Sequence, residues 1–154
     1  MTRRPSPDLA MRFLTVGNLY PPQHLGGYEL VWQGAVRALR AAGHEVSVLT
    51  NDSRFGDRPE EDEGVSRTLR WYWHDHRFPD RSARERLALE RHNASVFAAA
   101  QGGVDAIGWF HMGGMSLSLL GQARAPSAAF VHDDWVAYGP RVDGWLRGWS
   151  RVPA

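Results

Sequence analysis

Short apolar runs alternate along the chain with stretches in which apolar residues recur at helical spacing. Residues 11–16 (MRFLTV) form a run that predicts a buried strand. From Tyr28 onwards, apolar side chains recur three or four residues apart, which predicts an amphipathic helix over residues 28–42. Gly43 follows, where a helix favours a left-handed terminal residue, and residues 45–50 return to strand character. One helix between two strands predicts a right-handed crossover, which makes the strands parallel neighbours.

The same alternation continues through the second half of the chain. Ser82 and Glu85 have the spacing of a capping box, which predicts the start of a second long helix. Further strands are predicted over residues 65–73, 105–110 and 127–131, and further helices over residues 83–101 and 138–149. The pattern therefore predicts one α/β domain over residues 11–154, with a mainly parallel sheet between layers of helices, behind a disordered tail of residues 1–10.

Composition and charge exclude several classes of function. A net charge of +1 argues against a nucleic-acid partner and provides no basic footprint for a membrane surface. The chain has no cysteine, no apolar signal-peptide core and no run of about 20 apolar residues, so a cytoplasmic protein without a membrane span is expected. His74 and His76 flank Asp75, but adjacent side chains on an extended segment point in opposite directions, so no metal site is predicted.

Candidate chemistry collects where the predicted strands end. In an open parallel sheet, ligands bind outside the carboxyl ends of the strands. Residues 17–27 follow the first strand and include the pair Gly26 and Gly27. The residues that follow the fourth and fifth strands are His111, Met112, Gly113, Gly114, His132, Asp133, Asp134 and Trp135. Two glycine pairs and two histidines are therefore expected to meet at one edge of the sheet.

Gly26 and Gly27 stand just before the predicted first helix, and two interpretations of the pair are open. Without a Cβ, their backbone N–H groups could approach an anion, and the helix dipole adds about half a positive charge there. Pro21 and Pro22 would hold the preceding loop extended. The other interpretation is that the glycines only permit a tight turn. The glycine fingerprints of dinucleotide-binding folds and of P-loops are absent, so neither of those ligand classes is favoured.

Three stretches together resemble the N-terminal half of family 4 glycosyltransferases with the GT-B fold. They are MRFLTVGNLYPPQHLGGYELVWQGAVRALRAAGHEVSVLT, FHMGGMSLSLL and FVHDDWVAYGP. The similarity lies in the YPP-like loop, the glycine pair before a helix, the GHEV segment, and the histidines after the fourth and fifth strands. It covers residues 11–146, nearly the whole chain. The resemblance implies a Rossmann-like three-layer α/β/α domain, the N-terminal half of a GT-B fold.

The resemblance also implies roles for residues on the donor side of a cleft. Gly26 and Gly27 match the loop that faces the donor diphosphate. His111 and Gly113 match a turn at the cleft floor that binds donor phosphate or sugar. His132 matches a catalytic residue at a strand end, near the transferred sugar, and a histidine satisfied only by the backbone is the alternative.

On the acceptor side, the resemblance implies a role for four residues that follow the fifth strand: Asp133, Trp135, Tyr138 and Arg141. Arg141 is a candidate contact for an anionic group. For Asp133 and its neighbour Asp134, helix capping or plain surface charge is an equal alternative.

The implied chemistry is retaining transfer of a sugar, as in hexosyltransferases, from a nucleotide-sugar to a carbohydrate or other hydroxyl acceptor. No cofactor and no metal are expected, because a cationic clamp in a second, donor-binding domain holds the leaving diphosphate. The 154 residues contain no counterpart of that C-terminal domain, so the chain is expected to be truncated and inactive without the missing domain. A peripheral contact with a membrane stays open.

Two other classes of function stay open beside the enzyme. The chain could be a stand-alone binding module for a phosphorylated or sugar ligand. It could also serve only protein association, with some of its seven tryptophans as exposed contacts.

Overall fold

The computed structural model describes residues 10–55, 59, 63–72 and 81–132 of the chain. Its strands are β1 Arg12–Val16, β2 Glu45–Asn51, β3 Val65–Leu69, β4 Ala106–Trp109 and β5 Ser127–Ala129. They form one sheet in the order β3-β2-β1-β4-β5, and every neighbouring pair is parallel. The predicted α/β fold with a mainly parallel sheet is confirmed.

Helices cover both faces of this sheet. They are α1 Gly27–Ala41, α2 Ala83–Ala100 and a 3-10 helix, Leu117–Gln122, which connects β4 to β5. Because successive strand residues point to opposite faces, the two hydrophobic clusters belong to different faces. Trp32 and Val36 of α1 pack in one cluster, whereas Phe97 of α2 and Leu119 of the 3-10 helix pack with Leu14 in the other. The domain therefore has three layers, with the sheet in the middle.

Local signals set where the helices begin and end. Gly43 follows α1 with a φ of 94°, the left-handed conformation that its position predicts. At the start of α2, the Ser82 hydroxyl accepts the Glu85 N–H at 3.3 Å, and the Ser82 N–H donates to the Glu85 carboxylate at 2.8 Å. The predicted capping box is confirmed, and its hydrogen bonds from the Ser82 side chain and backbone lower the pKa of the Glu85 carboxyl.

Gly17 allows α1 to pack closely on the sheet directly after β1. A Cβ on Gly17 would lie 2.7 Å from the Trp32 ring, closer than two carbons can approach. Trp32 is 1% exposed, and its ring lies 4.9 Å from the Tyr20 ring and 5.3 Å from the Phe110 ring. The loop after β1 is thus packed against the helix that follows it.

The third strand is shorter than the sequence predicts. β3 ends at Leu69, whereas the prediction extended it to residue 73. The backbone of Arg70 bonds to a side chain instead of a strand, because its N–H donates to Asn93 Oδ1 at 2.7 Å and its carbonyl accepts Asn93 Nδ2 at 2.9 Å. The Asn93 side chain of α2 therefore replaces the hydrogen bonds that Arg70 would make to a neighbouring strand if β3 were longer.

Several predictions fall outside the described residues. These are the helix over residues 138–149, most of the tail of residues 1–10, and the His74–His76 segment. Within the described part of the chain, none of the helices has the length and apolar character needed to cross a membrane.

Candidate functional site

The strand order creates a crevice at the carboxyl ends of β1 and β4. β1 is central, with β2 and β3 on one side of it and β4 and β5 on the other. The helix after β1 packs on one face, and the 3-10 helix after β4 packs on the opposite face. Neighbouring strands whose connections leave in opposite directions form the usual ligand crevice of an open α/β sheet. Asn18 and His111 lie at this point, each two residues beyond the end of its strand.

Asn18 ties together the ends of three strands. Its N–H donates to the His111 carbonyl at 2.9 Å, and its Nδ2 donates to the Gly113 carbonyl at 3.1 Å. Its own carbonyl accepts the Asn51 N–H at 3.1 Å and the Thr50 hydroxyl at 2.7 Å. Since the side chain is buried, with 2% exposed, this network holds the crevice floor rigid.

The loop that leads to the glycine pair is anchored on both sides. Arg67 of β3 donates from Nη2 to the Pro21 carbonyl at 2.9 Å. Gln23 Oε1 accepts the Phe55 N–H at 2.5 Å, and Gln23 is fully buried. The predicted extended course of the two prolines is wrong, because the Gln23 N–H donates to the Tyr20 carbonyl at 3.0 Å and closes a turn over Pro21 and Pro22. The anchored turn, rather than an extended segment, fixes the position of the start of α1.

The glycine pair lies at the start of α1, as predicted. The helix begins at Gly27, and Gly26 is its N-cap residue in an extended conformation. The Gly26 N–H donates to Glu29 Oε2 at 3.1 Å, and Glu29 is 4% exposed. The Glu29 carboxylate thus already accepts a hydrogen bond from Gly26, one of the two glycine N–H groups predicted to face an anion. The next N–H groups of the first turn, beginning with that of Gly27, have no acceptor within the helix. These N–H groups are therefore the ones predicted to bind an anion.

The conformation of the pair argues against a simple turn. The described glycines with positive φ are Gly43, Gly64, Gly103 and Gly114. Neither Gly26 nor Gly27 needs the left-handed region, and among the described residues a Cβ on Gly27 would meet no atom within 4 Å beyond its own chain neighbours and helix backbone. Gly27 therefore leaves open space beside the crevice, although its backbone conformation does not require a glycine.

Tyr28 connects the glycine pair to both histidines. Its ring centroid lies 5.4 Å from that of His111, at an interplanar angle of 34°. It lies 5.7 Å from that of His132, at 24°. The predicted meeting of the glycine pair and the two histidines at one edge is confirmed. Sequence reasoning missed Tyr28 as a site residue, because it counted only as the first apolar position of the helix.

The other predicted site residues differ in what the structure shows of them. His132 is exposed and stacks with Tyr28. The Gly113 carbonyl accepts hydrogen bonds from Asn18 and, at 3.1 Å, from Trp71 Nε1, so it organises the turn after β4 from within. Gly114, with a φ of 70°, is the residue of that turn that requires glycine. The predicted acceptor-side residues lie outside the described residues: Asp133, Trp135, Tyr138 and Arg141.

Comparison with known families adds to this geometry. The model of the glycosyl transferase 4-like domain matches residues 26–153, most of the chain. The chain belongs to the glycosyl transferase 4-like family, which confirms the resemblance noted in the sequence. No curated protein matches the sequence significantly. The family and the Rossmann-like parallel sheet together make this chain a glycosyltransferase domain, whose substrates are a sugar donor and an acceptor.

Proposed function

We propose that the chain is the acceptor-side, N-terminal domain of a retaining hexosyltransferase that uses a nucleotide-sugar donor. The observation that carries this proposal is the contact of Tyr28 with both His111 and His132, directly beside Gly27. This contact brings the ends of β1, β4 and β5 to one site at the switch point of the sheet. The family match supports glycosyl transfer in general, and its range of residues 26–153 includes Tyr28, His111 and His132.

In the proposed reaction, the start of α1 faces the donor diphosphate. Backbone amides after Gly26 and the helix dipole favour negative charge there. The acceptor hydroxyl oxygen forms a bond to the sugar C1, and the bond from C1 to the diphosphate oxygen breaks. The acceptor proton passes to the leaving diphosphate, so no proton or charge is left over. Stabilisation of the charge that develops on the diphosphate is the main catalytic demand.

The two histidines serve the sugar in this proposal. His132 is exposed at the end of β5, where its ring or carbonyl can contact sugar hydroxyls or developing positive charge. His111 contacts donor phosphate or sugar from the crevice floor. Asp133, Trp135, Tyr138 and Arg141 contact the acceptor, which is a carbohydrate or another hydroxyl compound. The proposal requires neither a metal nor a cofactor, and it includes a second domain that binds the nucleotide.

A titration followed by nuclear magnetic resonance tests the proposal on this chain. The diphosphates of uridine, guanosine and adenosine, and their sugar conjugates, are added to isotope-labelled protein. We expect saturable shifts of the Gly27 and Tyr28 amides and of the His111 and His132 rings. The Gly34 amide, about 10 Å further along the same helix, serves as the internal control.

Two results would contradict the proposal. One is a set of shifts confined to residues away from the start of α1. The other is saturable binding of a sugar phosphate without a nucleotide, together with no response to any nucleotide-sugar. That second result would favour the stand-alone binding module.

A further inference from the structure

The orientation of the Asn18 side-chain amide is fixed by two partners that each have only one role. Asn18 Oδ1 lies 2.6 Å from the Leu19 backbone nitrogen, which can only donate. Asn18 Nδ2 lies 3.1 Å from the Gly113 carbonyl oxygen, which can only accept. Exchange of the amide oxygen and nitrogen would break both hydrogen bonds. The group that faces the end of β4 is therefore the NH₂ group.

This orientation determines the protonation of the His111 ring. The second hydrogen of Asn18 Nδ2 points to His111 Nδ1, at 2.8 Å. Because an amide NH₂ group can only donate, Nδ1 has to accept and carries no proton. A neutral imidazole has one N–H group, so the proton of His111 lies on Nε2, the ring nitrogen on the side away from Asn18.

We infer that Asn18 is a positioning residue that fixes His111 as the Nε2–H tautomer, so that whatever meets Nε2, a group of the chain or an oxygen of the ligand, has to accept a hydrogen bond. The Asn18 backbone is held by Thr50 and by the His111 carbonyl, and the His111 ring also stacks on Tyr28. Both the tautomer and the plane of the ring are thus set before a ligand arrives.

The consequence for the ligand rests on the proposed function. A phosphate oxygen or a sugar hydroxyl oxygen can accept from Nε2–H. The opposite tautomer would direct a lone pair at the same oxygen, which a phosphate oxygen cannot satisfy. Asn18 therefore favours an oxygen acceptor next to His111, without touching the ligand.

The test reads the tautomer directly from the nitrogen chemical shifts of the imidazole. In the wild-type chain, we expect His111 Nδ1 to show the shift of an unprotonated nitrogen and Nε2 that of a protonated one. In Asn18→Asp, a carboxylate of the same shape accepts instead of donating, so the two shifts should exchange at a pH high enough for the ring to be neutral. Thr50→Val is the matched control, because it removes the 2.7 Å bond to the Asn18 carbonyl but leaves the amide in place. It should destabilise the same network and keep the wild-type tautomer.

Binding gives a second measurement with the same variant. With inorganic pyrophosphate as the probe, Asn18→Asp should bind at least about tenfold more weakly, because one hydrogen bond to a charged acceptor is lost and the new carboxylate repels the anion. A parallel titration with uridine diphosphate glucose distinguishes the two possible contacts of His111. A weaker affinity of Asn18→Asp for both probes indicates contact with a phosphate, whereas a weaker affinity for uridine diphosphate glucose alone indicates contact with the sugar. Ser95→Ala, at an exposed position of α2, is the binding control and should bind either probe as the wild type does.

Each outcome decides the inference. A protonated Nδ1 in the wild-type chain would overturn it, and this measurement does not depend on whether Asn18→Asp folds. An unchanged tautomer in folded Asn18→Asp would overturn it as well. The expected tautomer, together with saturable binding of a sugar phosphate and no response to any nucleotide-sugar, would leave the role of Asn18 intact and contradict only the proposed glycosyl transfer.

Discussion

At the scale of single residues, Tyr28 holds the candidate site together. Each of its ring contacts is of a kind that contributes about 0.5 to 1.5 kcal/mol beyond the area that it buries. Tyr28 is 38% exposed, so it contacts the two histidines while part of its surface faces the crevice. A residue in this position can affect ligand orientation by keeping both imidazole rings in place.

Gly27→Val tests whether the glycine pair serves a ligand. The valine Cβ would lie more than 4 Å from every described atom outside its own helical segment, at a residue whose φ is not positive. We expect the melting temperature to change by no more than a few degrees. In an enzyme that combines this chain with a donor-binding domain, sugar transfer should fall by orders of magnitude, because the side chain occupies the approach of the diphosphate.

Gly34→Val is the control for this prediction. Gly34 lies in the same helix and is exposed, and its added Cβ would also meet no atom within 4 Å in the part of the chain that the structure describes, its own helical segment aside. It stands seven residues, or about 10 Å, beyond Gly27. It should keep both stability and transfer. A Gly27→Val protein with a lower melting temperature and normal transfer per folded molecule would mean that the glycine serves only the turn.

At the scale of elements, Asn93 connects α2 to the end of β3 and to the segment before the 3-10 helix. Its side chain bonds the N–H and carbonyl of Arg70, and its Nδ2 lies 2.7 Å from Ser116 Oγ. Asn93 and Ser116 are fully buried. These three bonds satisfy polar groups that water cannot reach.

Asn93→Ala should therefore be strongly destabilising. Removal of the amide leaves buried donors and acceptors without partners, at an expected cost of about 3 kcal/mol in the free energy of unfolding. Urea unfolding followed by tryptophan fluorescence measures this cost. Ser95→Ala, an exposed position in the same helix, should change stability by less than about 0.5 kcal/mol. A similarly small effect of Asn93→Ala would mean that the Arg70 backbone finds other partners.

Periodicity predicted the elements well but not all of their ends. The apolar spacing after Tyr28 is a local property, so α1 could be placed to within one residue at each end. The end of β3 could not, because it depends on the contact of Arg70 with Asn93, which is 23 residues away. No pattern within the TLRWYW segment distinguishes a residue that bonds a strand from one that bonds a helix side chain.

At the scale of the whole molecule, the topology of the sheet explains which part of the site could be predicted. Alternating strands and helices imply parallel strands, and parallel strands bring their carboxyl ends to one edge. The parallel topology by itself brings Gly27, His111 and His132 together. It could not identify Asn18, whose role depends on a hydrogen bond to a residue 93 positions away. An asparagine after a strand has no distinctive spacing, and its chemistry depends on the partner that the fold provides.

The isolated chain is predicted not to transfer sugar. When the bond between the sugar and the diphosphate breaks, negative charge develops on the leaving oxygen and has to be stabilised. The start of α1 supplies roughly half a positive charge. The Glu29 carboxylate bound to the Gly26 N–H already offsets part of it. Further positive charge then has to come from the donor-binding domain of the proposed enzyme.

We therefore expect the purified chain to release no nucleoside diphosphate above background when nucleotide-sugars and hydroxyl acceptors are supplied together. Release, followed by mass spectrometry, should begin only when a donor-binding domain of the same family is added or fused. The Gly27→Val chain provides the control, because it should fail in both arrangements. Turnover by the wild-type chain alone that is lost in Gly27→Val would contradict the prediction, since one domain would then provide all the charge that the leaving diphosphate needs.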